Sequence, residues 1–580
     1  VTRAAWPLAV LRLTVLLGVV GAAPAQERAI VHSVDGREVA AVRVVPFPGA
    51  SLAGGFGFLL LHAENRDDAP HRVVVDVGSH SWGSSSINVH RELLLGPHEL
   101  GRCFLPLPTT SDTGFELDVA VDGTRYPGSI SGGRHDGSIG LLVSARSDAE
   151  PWGLTVMQAL QRVSKPAAEV LLVLPEDLPA DWRLFTGFHA VVVDGRARLA
   201  DDVQTALVRF ATSGGTVIVG NPDRLPPGDL RARCLAADAG GVVRIGLGRC
   251  AIVPTEGDTT LLRERLASLP RPGLCGWPAP TVLLHEQVVP GLGEAPVLVF
   301  LLVILVFASV AGPLNFLLLR RWRRPLLVLV TVPVCGLGTT LLMLGYGLVH
   351  DGLGVRGVVR SWTLLDQERH EATSLAARTL FAGLSPDALT VATDGMVIAP
   401  RATFRDDRRA PDRWQFDPVG NVLDGGVLPS RTSTPLLSVR QGIARQRLRV
   451  RAAGDDRLEL LCDGGVVPLG PVLLRDFDGR MWLGDGPALQ VATDAAARQA
   501  LEQWGRDAAV LALFNEEFGN EMNTAHAVVE SLLGGGELPR GSYLARVAEA
   551  PWLDGHGLRV DYDQVEHFVA GRLAAEDFVR

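Results

Sequence analysis

Lysine is almost absent from this 580-residue chain: Lys165 stands alone, and arginine carries the rest of the basic charge. The formal net charge is −9, and no basic stripe of the kind that tracks a phosphate backbone is present, so a nucleic-acid binder is excluded. No Gly-x-x-x-x-Gly-Lys-Ser/Thr occurs, so the chain is not itself a P-loop ATPase. There is no Cys-x-x-Cys, which removes a zinc knuckle or a thioredoxin-type site. His98-Glu99, His285-Glu286 and His370-Glu371 each lack the second histidine of a zinc protease motif. Ser79, Ser81 and Ser84 flank His80 without a Gly-x-Ser-x-Gly elbow and read as a polar loop. Asp476-Phe477-Asp478-Gly479 lacks the spaced ligands and terminal glutamate of a calcium loop and reads as a hairpin turn. Glu516, Glu517 and Glu521 precede His526 at a spacing that suits a solvated acidic helix end better than a metal site. No catalytic residue, metal or cofactor is expected.

What is present is apolar length. Val297 to Leu319 and Pro325 to Val349 contain no charged residue, and each exceeds the roughly 20 apolar residues that cross a bilayer as a helix. Between them lies Arg320-Arg321-Trp322-Arg323-Arg324, too short for a domain. The pair therefore reads as a two-helix hairpin through the lipid bilayer. The positive-inside rule puts the turn in the cytoplasm and both flanking regions outside. Ala308-x-x-x-Gly312 and Gly336-x-x-x-Thr340 are small-residue pairs that let helices approach, and Asn315 can hydrogen-bond to a neighbouring helix. At the N-terminus, Arg3 and Arg12, the apolar Leu13 to Val20 and Ala23-Pro24-Ala25 form a secretory signal over 1–25. The expected location is a bacterial inner membrane, with both flanks in the periplasm.

The exported regions differ in period. Residues 27–147 alternate, as in His71-Arg72-Val73-Val74-Val75-Asp76-Val77, with turn-rich breaks between runs, and predict an immunoglobulin-like β-sandwich. Residues 150–255 instead contain continuous apolar runs, Val170 to Leu174, Ala190 to Val193 and Thr216 to Gly220, with an amphipathic helix over Asp201 to Ser213. That predicts a doubly wound α/β domain. A linker spans 256–293. Residues 351–490 return to β patterning, with hairpins at Gly454-Asp455-Asp456 and at Asp476 to Gly479, and 491–580 form a mixed α/β tail. Cys234 and Cys250 flank a short hairpin region and are the favoured disulfide pair among six cysteines.

Leu174-Pro175, the Ala190 to Asp194 strand and the helix-ending Gly214-Gly215 resemble the class I glutamine amidotransferase-like fold. The Gly-x-Cys-x-Gly nucleophile turn of active members is missing, so the resemblance implies a non-catalytic domain. The whole layout, with Gly312-Pro313-Leu314-Asn315-Phe316 ahead of Arg320-Arg321, is similar to bacterial two-pass envelope membrane proteins that carry such a domain. The group brings no activity with it.

Ligands of open α/β sheets bind at the carboxyl ends of the strands. Asp177, Asp194 and Asn221 follow the three predicted strands and are the candidate ligand-binding residues; they are also residue types that cap turns. Three functions stay open. The first is a non-catalytic scaffold or accessory subunit that binds other envelope or membrane proteins. The second is an envelope hydrolase at that sheet edge. The third is an accessory subunit of an ABC-type transporter.

Overall fold

The computed structural model describes residues 28–49, 55–79, 87–108, 114–131, 139–144, 169–235, 241–253, 297–322, 325–398, 412–416, 421–424, 427–461, 466–509 and 538–579, with a few isolated positions besides. The predicted signal segment, the helix expected near Thr155, most of the linker, Arg323, Arg324 and His526 lie outside these residues.

The chain is multidomain and strand-rich, with several sheets and two long apolar helices. It opens with eight strands: β1 Arg28–Val34, β2 Arg37–Phe47, β3 Phe56–Asn65, β4 His71–Ser79, β5 Ile87–Leu95, β6 Leu100–Pro108, β7 Gly114–Val121 and β8 Thr124–Ser131. One sheet runs β1-β2-β3-β6. β8, β7, β4 and β5 form part of a second, and the inward residues of both share one apolar cluster. Alternation directs them there: Val73, Val75 and Val77 are buried, while the residues between them are half-buried or exposed. β6, the proline-ended strand, lies at an edge, where its missing N–H groups break no ladder.

β9 Ile139–Val143, β10 Glu169–Val173, β11 Ala190–Val193, helix α1 Asp201–Thr212, β12 Thr216–Gly220, helix α2 Asp229–Leu235, β13 Val242–Ile245 and β14 Gly248–Val253 follow. Their sheet runs β10-β9-β11-β12-β14-β13, parallel except for β13. The three continuous apolar runs and the amphipathic helix fall where the pattern predicts. β9 lies inside the region expected to belong to the sandwich, yet it is an inner strand of the parallel sheet. Its run, Ile-Gly-Leu-Leu-Val, is apolar on both faces, as burial between two layers requires.

The two apolar helices are α3, Val297–Arg321, and α4, Val328–Asp351. Both are long and apolar enough to cross a membrane, and most of their large side chains are exposed. Pro313 lacks the N–H that would continue the ladder, and α3 widens to a π-turn over Val310–Leu314. Asn315 donates Nδ2 to Thr331 Oγ1 at 2.8 Å, a bond across the hairpin. The small-residue pairs behave differently from expectation. A Cβ added at Gly312 or Gly336 would meet nothing within 4 Å. Asn315 ties the hairpin together, while these glycines leave open faces.

The remaining strands are β15 Val355–Asp366, β16 Glu371–Ala382, β17 Ala388–Val391, β18 Gly395–Ile398, β19 Asp412–Phe416, β20 Asn421–Asp424, β21 Ser433–Ile443, β22 Arg449–Gly454, β23 Arg457–Leu461, β24 Pro471–Arg475, β25 Met481–Asp485, β26 Ala488–Val491, helix α5 Asp494–Ala509, β27 Ser542–Val547, β28 Val560–Arg572 and β29 Phe578–Val579. Twelve of these strands form one sheet, β18-β21-β16-β15-β28-β27-β24-β25-β26-β23-β22-β29. Both predicted hairpins, β22–β23 and β24–β25, are present. The tail is not separate, since β28 pairs in parallel along the whole of β15.

The other three strands, β17, β20 and β19, join the sandwich. β19 pairs in parallel with β5, Asp412 opposite Ile87 through Gln415 opposite His90. The resulting seven-stranded sheet reads β17-β20-β19-β5-β4-β7-β8. Strands from before and after the apolar hairpin thus share one sheet.

Aromatic side chains bind the sandwich to the parallel sheet. Phe58, fully buried on β3, stacks on Phe47 at 4.6 Å between ring centroids and meets Phe104, Phe185 and Phe188 edge-on at 6.0, 6.4 and 6.1 Å. Phe185 continues the contact to Phe210 of α1 at 6.0 Å. Phe58→Ala is expected to destabilise the protein by about 3–5 kcal/mol, and a loss under about 1 kcal/mol would show that these rings do not join the two layers. Chemical denaturation of the detergent-solubilised chain, with hydrogen exchange read on β3 and β11, makes the measurement; exchange should rise in both strands.

Candidate functional site

The carboxyl edge of the parallel sheet is the place to test the three polar residues singled out in the sequence. Ser144 directly follows β9, Asp194 follows β11 and Asn221 follows β12. Asp194 is buried. Its N–H donates to Val143 O at 2.9 Å. Its Oδ2 accepts from Ser144 Oγ at 2.9 Å, and its Oδ1 accepts from the Arg196 N–H at 3.0 Å. Asn221 has a left-handed backbone, φ 50°, a conformation that asparagine tolerates better than most residues. Its N–H donates to Val253 O at 2.8 Å. The two loops touch: a Cβ on Gly195 would lie 2.0 Å from Gly220 O and 2.5 Å from Asn221 O, so only glycine fits between them.

Asp177 does not join them. It ends the short Pro175–Asp177 turn and faces the sandwich, where Arg102 Nη2 donates to its Oδ1 at 3.0 Å. Burial pushes its carboxyl above the ordinary value, and the Arg102 charge pulls it part of the way back. Of the three predicted residues, the fold brings Asp194 and Asn221 together and assigns Asp177 to an interface. Asp194 already has partners on both oxygens, so its carboxylate works as the clamp of a strand-to-loop turn.

Cys234 on α2 and Cys250 on β14 are brought together, but the expected disulfide is not formed. Both are buried free thiols with sulfurs 2.9 Å apart. Hydrogen bonding to Cys234, then burial, raises the Cys250 thiol well above its ordinary value.

Sequence reading missed a second constellation, because its members are far apart in the chain. Ser361 on β15 and His567 on β28 are direct neighbours across the parallel pair, and Ser361 Oγ lies 2.7 Å from His567 Nδ1. A serine hydroxyl against an imidazole is the start of a nucleophile–base arrangement. Ser361 is fully buried, however, and no substrate carbonyl can reach its oxygen. Burial, aided by the Arg378 charge, lowers His567 to about 4. Arg378 is itself 3% exposed and lowered by burial, with Tyr562 and Asp554 opposing that shift. Next along the same face, Thr363 Oγ1 lies 2.8 Å from Ser374 Oγ and accepts from Trp552 Nε1 at 2.8 Å. This is a polar seam inside the sheet. The Asp476 turn is equally structural: Asp476 Oδ1 accepts from the Arg480 N–H and its Oδ2 from Trp482 Nε1. Among the described residues no group of three or more His, Cys, Asp or Glu is placed to hold a metal ion.

Two outcomes follow from this geometry. Asp194→Ala removes the carboxylate that accepts from the Ser144 hydroxyl and the Arg196 N–H, and is expected to cost about 1–3 kcal/mol; a thermal melt unchanged from the parent would return Asp194 to the ligand-binding role. His567 lies below its ordinary 6.5 when folded, so protonation favours the unfolded chain. Its stabilising contribution is complete above about pH 6.5 and is lost as pH falls toward about 4. His567→Gln should flatten that part of the melting-temperature profile; an unaltered acid limb would refute the assignment.

No family model matches this sequence, and no curated protein matches it either. Among solved structures, macromomycin aligns at 16% identity and a TM-score of 0.09, over 16% of this chain and 77% of that one. A cycloisomaltooligosaccharide glucanotransferase of Paenibacillus sp. aligns at 7% identity and 0.13, over 30% of this chain and 27% of that one. A GH20 exo-β-N-acetylglucosaminidase of Vibrio harveyi aligns at 9% and 0.10, over 40% of this chain and 37% of that one. The alignments thus span well under half the length of either enzyme, and similarity at this level assigns no fold, substrate or reaction to the chain.

Proposed function

We propose that this chain is a non-catalytic, membrane-anchored protein of the bacterial envelope. In this reading α3 and α4 cross the inner membrane as a hairpin, with Arg320, Arg321, Arg323 and Arg324 at the cytoplasmic turn. The regions before and after the hairpin then stand together on the periplasmic side. They act as a scaffold or accessory subunit that binds other envelope or membrane proteins. The observation that carries the reading is the β5–β19 ladder. A ladder between strands on opposite faces of a bilayer is impossible, and a two-helix hairpin returns the chain to the face it left. The exposed apolar surfaces of both helices add support, because such surface on a soluble protein would drive association.

The amidotransferase-like reading of the parallel sheet rests on Leu174-Pro175, the Ala190 to Asp194 strand and Gly214-Gly215 and remains part of the proposal, without the nucleophile. The hydrolase reading has less support: Asp177 faces the sandwich, and Asp194 is committed to Ser144 and Arg196. An accessory role beside an ABC-type transporter is one form of the scaffold reading, with ATP hydrolysis supplied by the partner.

Thiol labelling of intact spheroplasts with an impermeant maleimide tests the arrangement. Leu94→Cys and Ile443→Cys, exposed on the two sides of the hairpin in sequence, should both label; Trp322→Cys, exposed at the turn, should label only after permeabilisation. Labelling of only one of the first two would overturn the shared compartment. Purification in mild detergent should then retain a stoichiometric membrane partner, and a partner-free protein that turns over an envelope ester or glycan would overturn the scaffold reading.

A further inference from the structure

The end of α4 is joined to the sheet with almost no slack. The helix stops at Asp351, Gly352 turns the chain at φ 75°, and β15 begins at Val355. A second loop lies against this junction. Gly383 N–H donates to Gly354 O at 2.9 Å, and a Cβ on Gly383 would sit 2.2 Å from Gly352 O. The loops 352–354 and 383–386 therefore form one ledge at the foot of the helix. Each presents a leucine to the outside: Leu353 is 56% exposed and Leu384 57%. Just above in the helix, the rings of Tyr346 and His350 stack at 5.4 Å, and such amphipathic rings favour the membrane–water boundary. If α4 spans the bilayer, a three-residue link holds this ledge at the headgroup level, since three residues reach only about 10 Å.

We propose that this ledge is an interfacial lipid-binding edge. Leu353 and Leu384 enter the boundary between headgroups and acyl chains beside the foot of α4. This fixes how the twelve-stranded sheet stands on the membrane. The inference rests on the membrane reading above. The charges on the same rim are mixed, with Arg431 and Arg559 set against Asp387 and Asp561, so the attachment is apolar and does not require anionic lipid. The far end of the sheet supplies a control. Ile443, 80% exposed, pairs with Glu371, whereas Val355 pairs with Ala382 at the ledge end. Eleven residue steps along β16 separate these pairs, about 36 Å of strand.

The test is photo-crosslinking of the full-length protein in phosphatidylcholine vesicles. Benzoylphenylalanine is placed in turn at positions 353, 384, 305 and 443, and lipid adducts are counted by mass spectrometry. Adducts at 353 and 384, with position 443 at background, are the expected result. Adducts at 305 with none at 353 or 384 would overturn the ledge and leave the membrane hairpin standing. Absence of adducts at 305, an exposed position of α3, would overturn the hairpin and the ledge together. Adducts at 353 and 384 only when phosphatidylglycerol is added would overturn the apolar mode of attachment.

Discussion

The parallel ladder between β5 and β19 is the constraint on which the rest of the structure depends. A parallel pair needs a crossover connection, and here the crossover contains the whole parallel-sheet region and the apolar hairpin. The paired residues, Ile87 and Asp412, are more than three hundred positions apart. Such length costs little at equilibrium, because each doubling of a closed loop adds only about 0.6 kcal/mol. Its effect is on order of assembly. Pairing between distant segments is slow to form, so the edge of β5 stays open until the chain beyond the hairpin has arrived. Under the membrane reading, insertion of α3 and α4 comes before completion of the sheet, and the hairpin acts as a built-in clasp on the two halves.

A single small region then ties the three parts together. Thr186 Oγ1 accepts from the Phe56 N–H at 2.9 Å, donates to Arg183 O at 2.6 Å, and lies 3.8 Å from Met396 Sδ on β18. Arg183, buried and paired with Asp181, reaches Gly395 O at 3.4 Å. The Arg233–Glu371 pair at 3.0 Å and the hydrogen bonds from Gln441 Nε2 to Arg209 O and Ser213 Oγ add further ties between α/β elements and the twelve-stranded sheet. Apolar burial supplies most of the stabilisation, since the core cluster runs from Val42 and Phe58 through Phe210 to Leu437 without a break. The polar contacts fix how the parts are angled. Ties of this density argue against free swinging of one domain on another, which a small polar interface would allow.

Local patterns were legible in the sequence and distant pairings were not. The runs at 170–174, 190–193 and 217–219 announce strands because each is apolar at every position. The hairpins at Gly454 and Gly479 announce themselves through turn chemistry, which is encoded in neighbouring residues. The apolar run Ile139–Val143 marks a strand buried on both faces but does not name β10 and β11 as its neighbours, and nothing in Asp412–Phe416 names β5 as its own. The candidate site was only partly legible for a related reason. Aspartate after a strand serves a ligand or a turn equally well, and only the positions of Ser144, Arg196 and Arg102 decide between them. The glycines at 312 and 336 show the same limit: small residues permit close approach without specifying a partner.

The buried polar seam of the twelve-stranded sheet has a purpose that its chemistry alone does not suggest. β15 is held on one side by β16 in antiparallel pairing and on the other by β28 in parallel pairing, over twelve residues each, with an irregularity after Gly357. Both faces of β15 are largely buried, so hydrophobic pattern alone would tolerate several registers. The polar residues remove that freedom. A slip of one residue against β28 would carry Ser361 away from His567, leaving a neutral imidazole and a hydroxyl without partners in the interior, and such groups are costly to strand. The same slip against β16 would separate Thr363 from Ser374. Buried polarity therefore selects the register that apolar burial stabilises. The serine–histidine contact, which superficially suggests catalysis, is better understood as part of the alignment of the strand that begins at the foot of α4.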